Sequence, residues 1–285
     1  LHRFNAEGDI PTANLIATRV SDGTFRLTAT ISTVCLQAVA NANRTGKTTQ
    51  VFCAVSDPVA AGVGIKALGS LEKPPHLTGI GTAQPVEDLF RAAKQYRPEL
   101  RRVGVVWNPA EANSVVCTER ARAICKELGM ELLEAPIEGT RDIKESAQAL
   151  VSRGAEALWV GGDATVLSAI DTLVGVARQA KIPFFSNISG HVKRGALLDL
   201  GANYYQVGYR SGEIAAEVLA GKPASEIAVE DYMPRQMGLN LQILPTLREK
   251  WQPPAAMVEA AAVVVEADGT VRQKAEATPA PSPAT

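Results

Sequence analysis

The chain has 285 residues, 46% hydrophobic and 21% charged, a length and balance that fit a globular protein with room for two cores. Its 29 Lys and Arg against 30 Asp and Glu leave a net charge of −1, so it carries no basic field to attract nucleic acid or an anionic membrane. No run approaches the ~20 apolar residues of a spanning helix. The chain opens on Leu1-His2-Arg3-Phe4, which reads like the interior of a strand and carries no Met and no leader. From there β-type and helical patterns alternate. A helix is expected over 12–19, a strand over Leu27–Ile31, a helix over Thr33–Ala42, strands over 50–55 and Leu77–Gly81, and a helix over 86–95. A strand follows over Arg102–Trp107, helices over 114–128 and 143–153, a strand over Ala157–Val160, and a helix over 166–180. Strands over 183–186 and 196–200, a helix over 204–220 and a strand over 237–241 complete the series. The strands are nearly continuous apolar runs, as expected where both faces of a parallel sheet are buried.

The helical readings have a mechanism. Cys117, Ala121, Ile124, Cys125 and Leu128 recur at the spacing of one helix face, and Gly129 supplies the stop. Val207, Ser211, Ile214, Ala215, Val218 and Leu219 share another face before Gly221 and Pro223. Strand–helix alternation of this kind predicts an α/β protein with doubly wound parallel sheets. Two lobes are expected: residues 1–100 with 190–232, and 101–189 with 233–258, leaving 259–285 as a C-terminal extension. Its last stretch, 275–285, is rich in Pro, Ala, Ser and Thr and is expected to be disordered. Cys117 and Cys125 are two helical turns apart, about 12 Å, too far to bridge. Free thiols are the expectation for all four cysteines, and the scattered His2, His76 and His191 offer no metal site.

In open α/β sheets ligands bind beyond the carboxyl ends of the strands. Ser32-Thr33, Ser56-Asp57, Asn108 to Ser114, Gly161 to Thr165 and Asn187 to Gly190 occupy five such corners. Small polar residues at helix starts are ordinary caps. They also surround unpaired N–H groups that suit an anion, while Asp57 and Asp163 suit an ammonium. Catalytic patterns are weaker. Gly62-Val63-Gly64-Ile65-Lys66-Ala67 has the form G-x-G-x-x-A but stands six residues past a strand, with no acidic strand end about 20 residues later. There is no nucleophile elbow and no phosphate loop, and His191 alone makes no triad.

These corners also carry a family pattern. Phe52-Cys53-Ala54-Val55-Ser56-Asp57-Pro58-Val59-Ala60-Ala61-Gly62 resembles the F-x-A-V-x-D-P-V-x-A-G signature of the ABC-type solute-binding proteins associated with tryptophan and tyrosine transport. Asn108 to Ser114 resembles the family's N-P-x-E-x-N-S, and Asp163-Ala164-Thr165-Val166 its D-x-T-V. Lys193 to Leu197 followed by Gly201 to Gly208 resembles K-R-G-A-L and G-x-x-Y-Y-x-x-G. The resemblance spans about residues 3–245. It implies a type I periplasmic-binding fold with a hinged cleft, no catalysis and no cofactor. It also implies a periplasmic or other extracytoplasmic location, a membrane permease as partner, and a monomer. The ligand implied is a small carboxylate-bearing molecule, an amino acid and among these an aromatic one.

The family's ligand-contacting corners fall here on Ser32, Thr33, Ser56, Asp57, Asn113, Ser114, Asp163, Thr165, Asn187 and Ser189. Asn113 and Ser114 would hold the ligand carboxylate, and Asp163 or Asp57 its ammonium. Many family members carry acidic residues after the strand at 183–186, where this chain has Asn187-Ile188-Ser189, so an ammonium meets less charge there. Family members also place a leader, a strand and a helix before the segment matching Arg3 to Asn5. The first lobe is therefore expected to lack its first strand and helix, as in a fragment of a longer product. A ligand-sensing domain of a signalling protein is the alternative reading.

Overall fold

A computed structural model describes residues 1–275; all but the first residue of the 275–285 tail lies outside the described residues. Two sheets organise the chain. Helix α1 (Ile10–Val20) starts at Asp9, whose carboxylate accepts the Thr12 N–H at 2.8 Å. Strand β1 (Leu27–Ile31), helix α2 (Thr33–Ala42), β2 (Thr49–Val55) and β3 (Leu77–Gly81) follow. With the short β9 (Glu230–Asp231) these form a parallel sheet in the order β1-β2-β3-β9. Along β2 the side chains alternate between two cores. Phe52 joins Leu36 of α2 and Leu77, whereas Val51 and Cys53 join Val207 and Ile214 of helix α8 (Tyr204–Leu219). Burial on both faces explains the unbroken apolar run. Gly79 is required where β3 passes β2: its φ is +154°, and a Cβ would lie 2.1 Å from the Phe52 carbonyl oxygen.

The second sheet is larger. It contains β4 (Arg102–Trp107), β5 (Glu131–Pro136), β6 (Ala157–Val160), β7 (Phe184–Ser186), β8 (Leu198–Ala202), β10 (Arg235–Asn240), β11 (Val263–Val265) and β12 (Val271–Gln273). The order is β12-β11-β10-β8-β7-β6-β4-β5, with β10 antiparallel to β8 and β12 antiparallel to β11. Helices α3 (Val86–Tyr96) and α4 (Ala112–Glu127) cover one face, where Phe90 meets Trp159 edge-on with ring centroids 5.1 Å apart. Helices α5 (Ile143–Ser152) and α7 (Ile170–Gln179) cover the other, over Leu158, Val160 and Phe184. Each such large side chain, fully withdrawn from water, contributes about 1.5–3 kcal/mol.

Three short connections join the lobes, at 82–85, at 203 and at 232–234, between strands and helices that pack in different sheets. They correct the expected boundaries. Helix α3, placed in the first lobe from sequence, packs on α4 and β8 in the second. Residues 190–202, also placed in the first lobe, carry β8, which pairs with β7. Residues 259–265 are not outside the fold, because β11 adds in parallel to β10. The physical reason is common to all three. A strand–helix unit has the same hydrophobic period in either sheet, and only long-range pairing decides which sheet it joins.

Two further differences are local. β5 went unexpected because Glu131 and Glu134 interrupt its apolar pattern and Pro136 ends it, features that fit its place at the sheet edge. The opening residues 1–4, read as strand-like, pair with no strand among the described residues. Phe4 instead packs edge-on to Phe25 at 6.3 Å, and β1 forms the edge of its sheet with Ile31 68% exposed. All four cysteines are free, and Cys53, Cys117 and Cys125 are buried.

Candidate ligand-binding site between the lobes

The carboxyl ends of β2 and β3 bring Ser56 and the 82–85 connection side by side, because the Thr82 N–H donates to the Val55 carbonyl at 2.7 Å. Gln84, two residues on, is buried; its side chain accepts from the Cys117 thiol at 3.6 Å and is hydrogen-bonded to Tyr204 at the second connection. Arg120 of α4 fixes the same connection by donating to the Gln84 carbonyl at 2.8 Å while pairing with Glu87. Opposite lies the turn after β6. A Cβ on Gly162 would fall 2.9 Å from Gln84 Nε2 and 3.0 Å from Ser56 Oγ. The strand ends of the two sheets therefore face each other across Gly162.

Behind Gly162 stands a network of two buried carboxylates. Asp163 accepts the Asn108 N–H at 2.7 Å, the Ser114 hydroxyl at 2.6 Å and the Val166 N–H at 2.8 Å, the last capping helix α6 (Ala164–Ser168). Glu111 accepts the Ala164 N–H at 2.7 Å, the Thr165 N–H at 2.9 Å, the Thr165 hydroxyl at 2.5 Å and Asn113 Nδ2 at 3.2 Å. Burial, and then the negative charge of Glu111, push the Asp163 carboxyl up to about 6. Asn113 is 9% exposed. Its Nδ2 donates to the Gly162 carbonyl as well as to Glu111, and its Oδ1 is buried without a partner. Thr82 Oγ1 is likewise buried and unpartnered.

The structure gathers Ser56, Asn113, Ser114, Asp163 and Thr165 around this facing pair of strand ends. The other sequence candidates serve their own lobes. Ser32, at φ +92°, accepts the Cys35 N–H at 3.3 Å and starts α2, with Thr33 buried beside it. Asp57 accepts the N–H groups of Val59 and Ala60, both at 2.9 Å. Asn187 accepts from Trp159 Nε1 at 2.8 Å and donates to the Leu200 carbonyl at 3.0 Å, and Ser189 donates to the Ala202 carbonyl at 2.6 Å; both pin β7 to its neighbours. Three further residues stand at these strand ends: Thr82 and Gln84, which the sequence reading did not single out, and Glu111, which it included in a corner without giving it a role. The strand-end rule applies to the 82–85 segment as well as to the five corners chosen, and Glu111 is a carboxylate directly before a helix, a recognisable cap position.

Two α/β lobes, joined by three connections, oppose their polar strand ends, the place where ligands sit in folds of this architecture. The chain belongs to the ABC transporter substrate binding protein family, whose model matches residues 2–263; by family it is a substrate-binding protein and not an enzyme. It is 30% identical over 244 residues to the tyrosine-binding protein of Clostridioides difficile (strain R20291), covering 85% of this chain and 69% of the relative. Its structure is similar to that of a conserved domain protein from Vibrio cholerae O1 biovar eltor, with a TM-score of 0.83 at 29% identity over 91% of this chain and 85% of the other. A Streptococcus pneumoniae ABC domain in complex with L-Trp has the same fold, with a TM-score of 0.82 at 22% identity over 92% and 88% of the two chains.

Proposed function

We propose that this protein is the solute-capturing component of an ABC importer. It works outside the cytoplasm as a monomer, closing its two lobes on an amino acid and delivering it to a membrane permease. The observation that carries the reading is the approach of Ser56 and Gln84 to Gly162 across the lobes, with Asn113 Oδ1 and Thr82 Oγ1 left without partners beside it. Buried polar atoms ordinarily have partners, and an amino acid between the lobes supplies them. Ligand contacts made from both sides favour the closed arrangement over any open one. The tyrosine-binding relative and the L-Trp complex of the fold neighbour direct the choice of ligand towards aromatic amino acids.

Calorimetric titration with the twenty amino acids tests this. The expected result is saturable binding of L-tryptophan or L-tyrosine at about 1 μM or tighter, roughly 8 kcal/mol, with the ligand recovered unchanged. Binding by no amino acid up to millimolar concentration would overturn the reading.

A further inference from the structure

The amide orientation of Asn113 is settled by its surroundings. Both acceptors around Nδ2, the Gly162 carbonyl and Glu111 Oε2, require an N–H donor. Rotating the amide by half a turn would set its oxygen against a carbonyl and a carboxylate. Oδ1 is therefore the atom left over, buried and without a partner. Only a hydrogen-bond donor satisfies it.

The charge around this corner has the same sign. Among the described residues, Glu111 and Asp163 accept only from neutral groups: backbone N–H of Asn108, Ala164, Thr165 and Val166, and the side chains of Asn113, Ser114 and Thr165. Ser114 spends its hydroxyl proton on Asp163, so it has none to give a ligand carboxylate. Two carboxylates without a balancing cation favour a positive group nearby and disfavour an anion.

Resting on the binding function proposed above, we propose that Asn113 Oδ1 receives the ligand's ammonium group, and that Glu111 is the positioning residue that holds the amide in this orientation. This reverses the role that the N-P-x-E-x-N-S pattern implied for Asn113 and Ser114. The α-amino group thereby becomes the feature that the second lobe selects, and the carboxylate falls to other donors of the cleft.

The test compares L-tryptophan with indole-3-propionate, and L-tyrosine with 3-(4-hydroxyphenyl)propionate, pairs that differ by the amino group alone. The wild-type protein is expected to prefer each amino acid by about 100-fold, the scale of a charge-assisted hydrogen bond. Asn113→Leu should reduce that preference to within about threefold of unity, read as the ratio of the two affinities measured on the same variant. Asn113→Ala carries the same test should the leucine variant not fold. Glu111→Gln should lower the preference about tenfold, because a second amide no longer dictates the orientation of the first. Equal loss of both ligands in the Asn113 variants, or a preference undiminished in them, would overturn the assignment. Wild-type binding of both members of a pair without discrimination would sink the ammonium subsite and leave the transport reading standing. Binding of neither member of either pair would overturn the assignment, and binding of no amino acid at all would sink the transport reading with it.

Discussion

The Ser114 hydroxyl donates to Oδ2 of Asp163 at 2.6 Å, joining the start of α4 to the start of α6. Residues that the family resemblance assigned to opposite ends of a ligand thus bind each other. Asp163 has in addition two backbone N–H donors, and its first task is to hold the corner in shape.

Replacing Asp163 by Ala should therefore cost stability before it costs affinity. The change strands the Asn108 and Val166 N–H groups and the Ser114 hydroxyl in a buried site, a loss of about 3–4 kcal/mol. Asp163→Asn keeps an acceptor oxygen and should cost about half as much. Urea denaturation measures both, and an Asp163→Ala variant within about 1 kcal/mol of wild type would contradict the network's structural role.

Gly162 makes a different prediction. A methyl group there meets the ends of two flexible side chains from across the cleft, Gln84 and Ser56, at 2.9 and 3.0 Å. Gly162→Ala should leave the melting temperature nearly unchanged while weakening amino acid binding about tenfold, since the added methyl opposes only the closed arrangement. Unaltered affinity would show that the lobes do not need this approach to bind.

His191 predicts a pH dependence. It is buried with Nδ1 2.8 Å from Ser186 Oγ, and burial first, then the nearby Arg194 charge, lowers it to about 4. The folded protein therefore resists protonation that the unfolded chain accepts near 6.5. Stability from this residue is complete above about 6.5 and lost as pH falls towards 4, at most about 3 kcal/mol. Asp163, raised to about 6, acts in the opposite sense: its contribution is present below about 3.9 and lost as pH rises through 6. The His191 effect is isolated by comparison with His191→Asn, whose side-chain oxygen can still accept from Ser186. The gap in stability between wild type and variant should close between pH 7 and 4; a constant gap would refute it.

The C-terminal segment is open to a truncation test. Val263, Val264 and Val265 are buried, and β11 pairs with β10. A chain ending at residue 258 should expose the β10 edge, melt at least 10 °C lower or aggregate. A truncated protein as stable as the full chain would show that β11 adds nothing to the sheet.

Legibility followed range. The strands and helices that carry the site were readable because apolar runs, spacing and caps are local properties. The corners at Ser56, Asn113, Asp163 and Thr165 could be picked out because each follows a parallel strand with small polar residues. The lobe boundaries were not readable at α3 and β8, where a local pattern is compatible with either sheet. β11 hid for a related reason: three valines after a short helix declare a strand only when β10 offers a partner.

By itself the sequence determined the parallel α/β class and marked the polar corners that follow its strands. The motifs that placed it beside solute-binding proteins are likewise local strings of residues. The tertiary structure alone decided what each polar atom there has left to offer. Asn113 lies in a motif visible in one dimension, yet whether it presents a donor or an acceptor depends on Gly162, 49 residues away, and on a Glu111 carboxylate anchored by the same turn. Hydrogen-bond capacity is finite, and partners brought together by folding consume it.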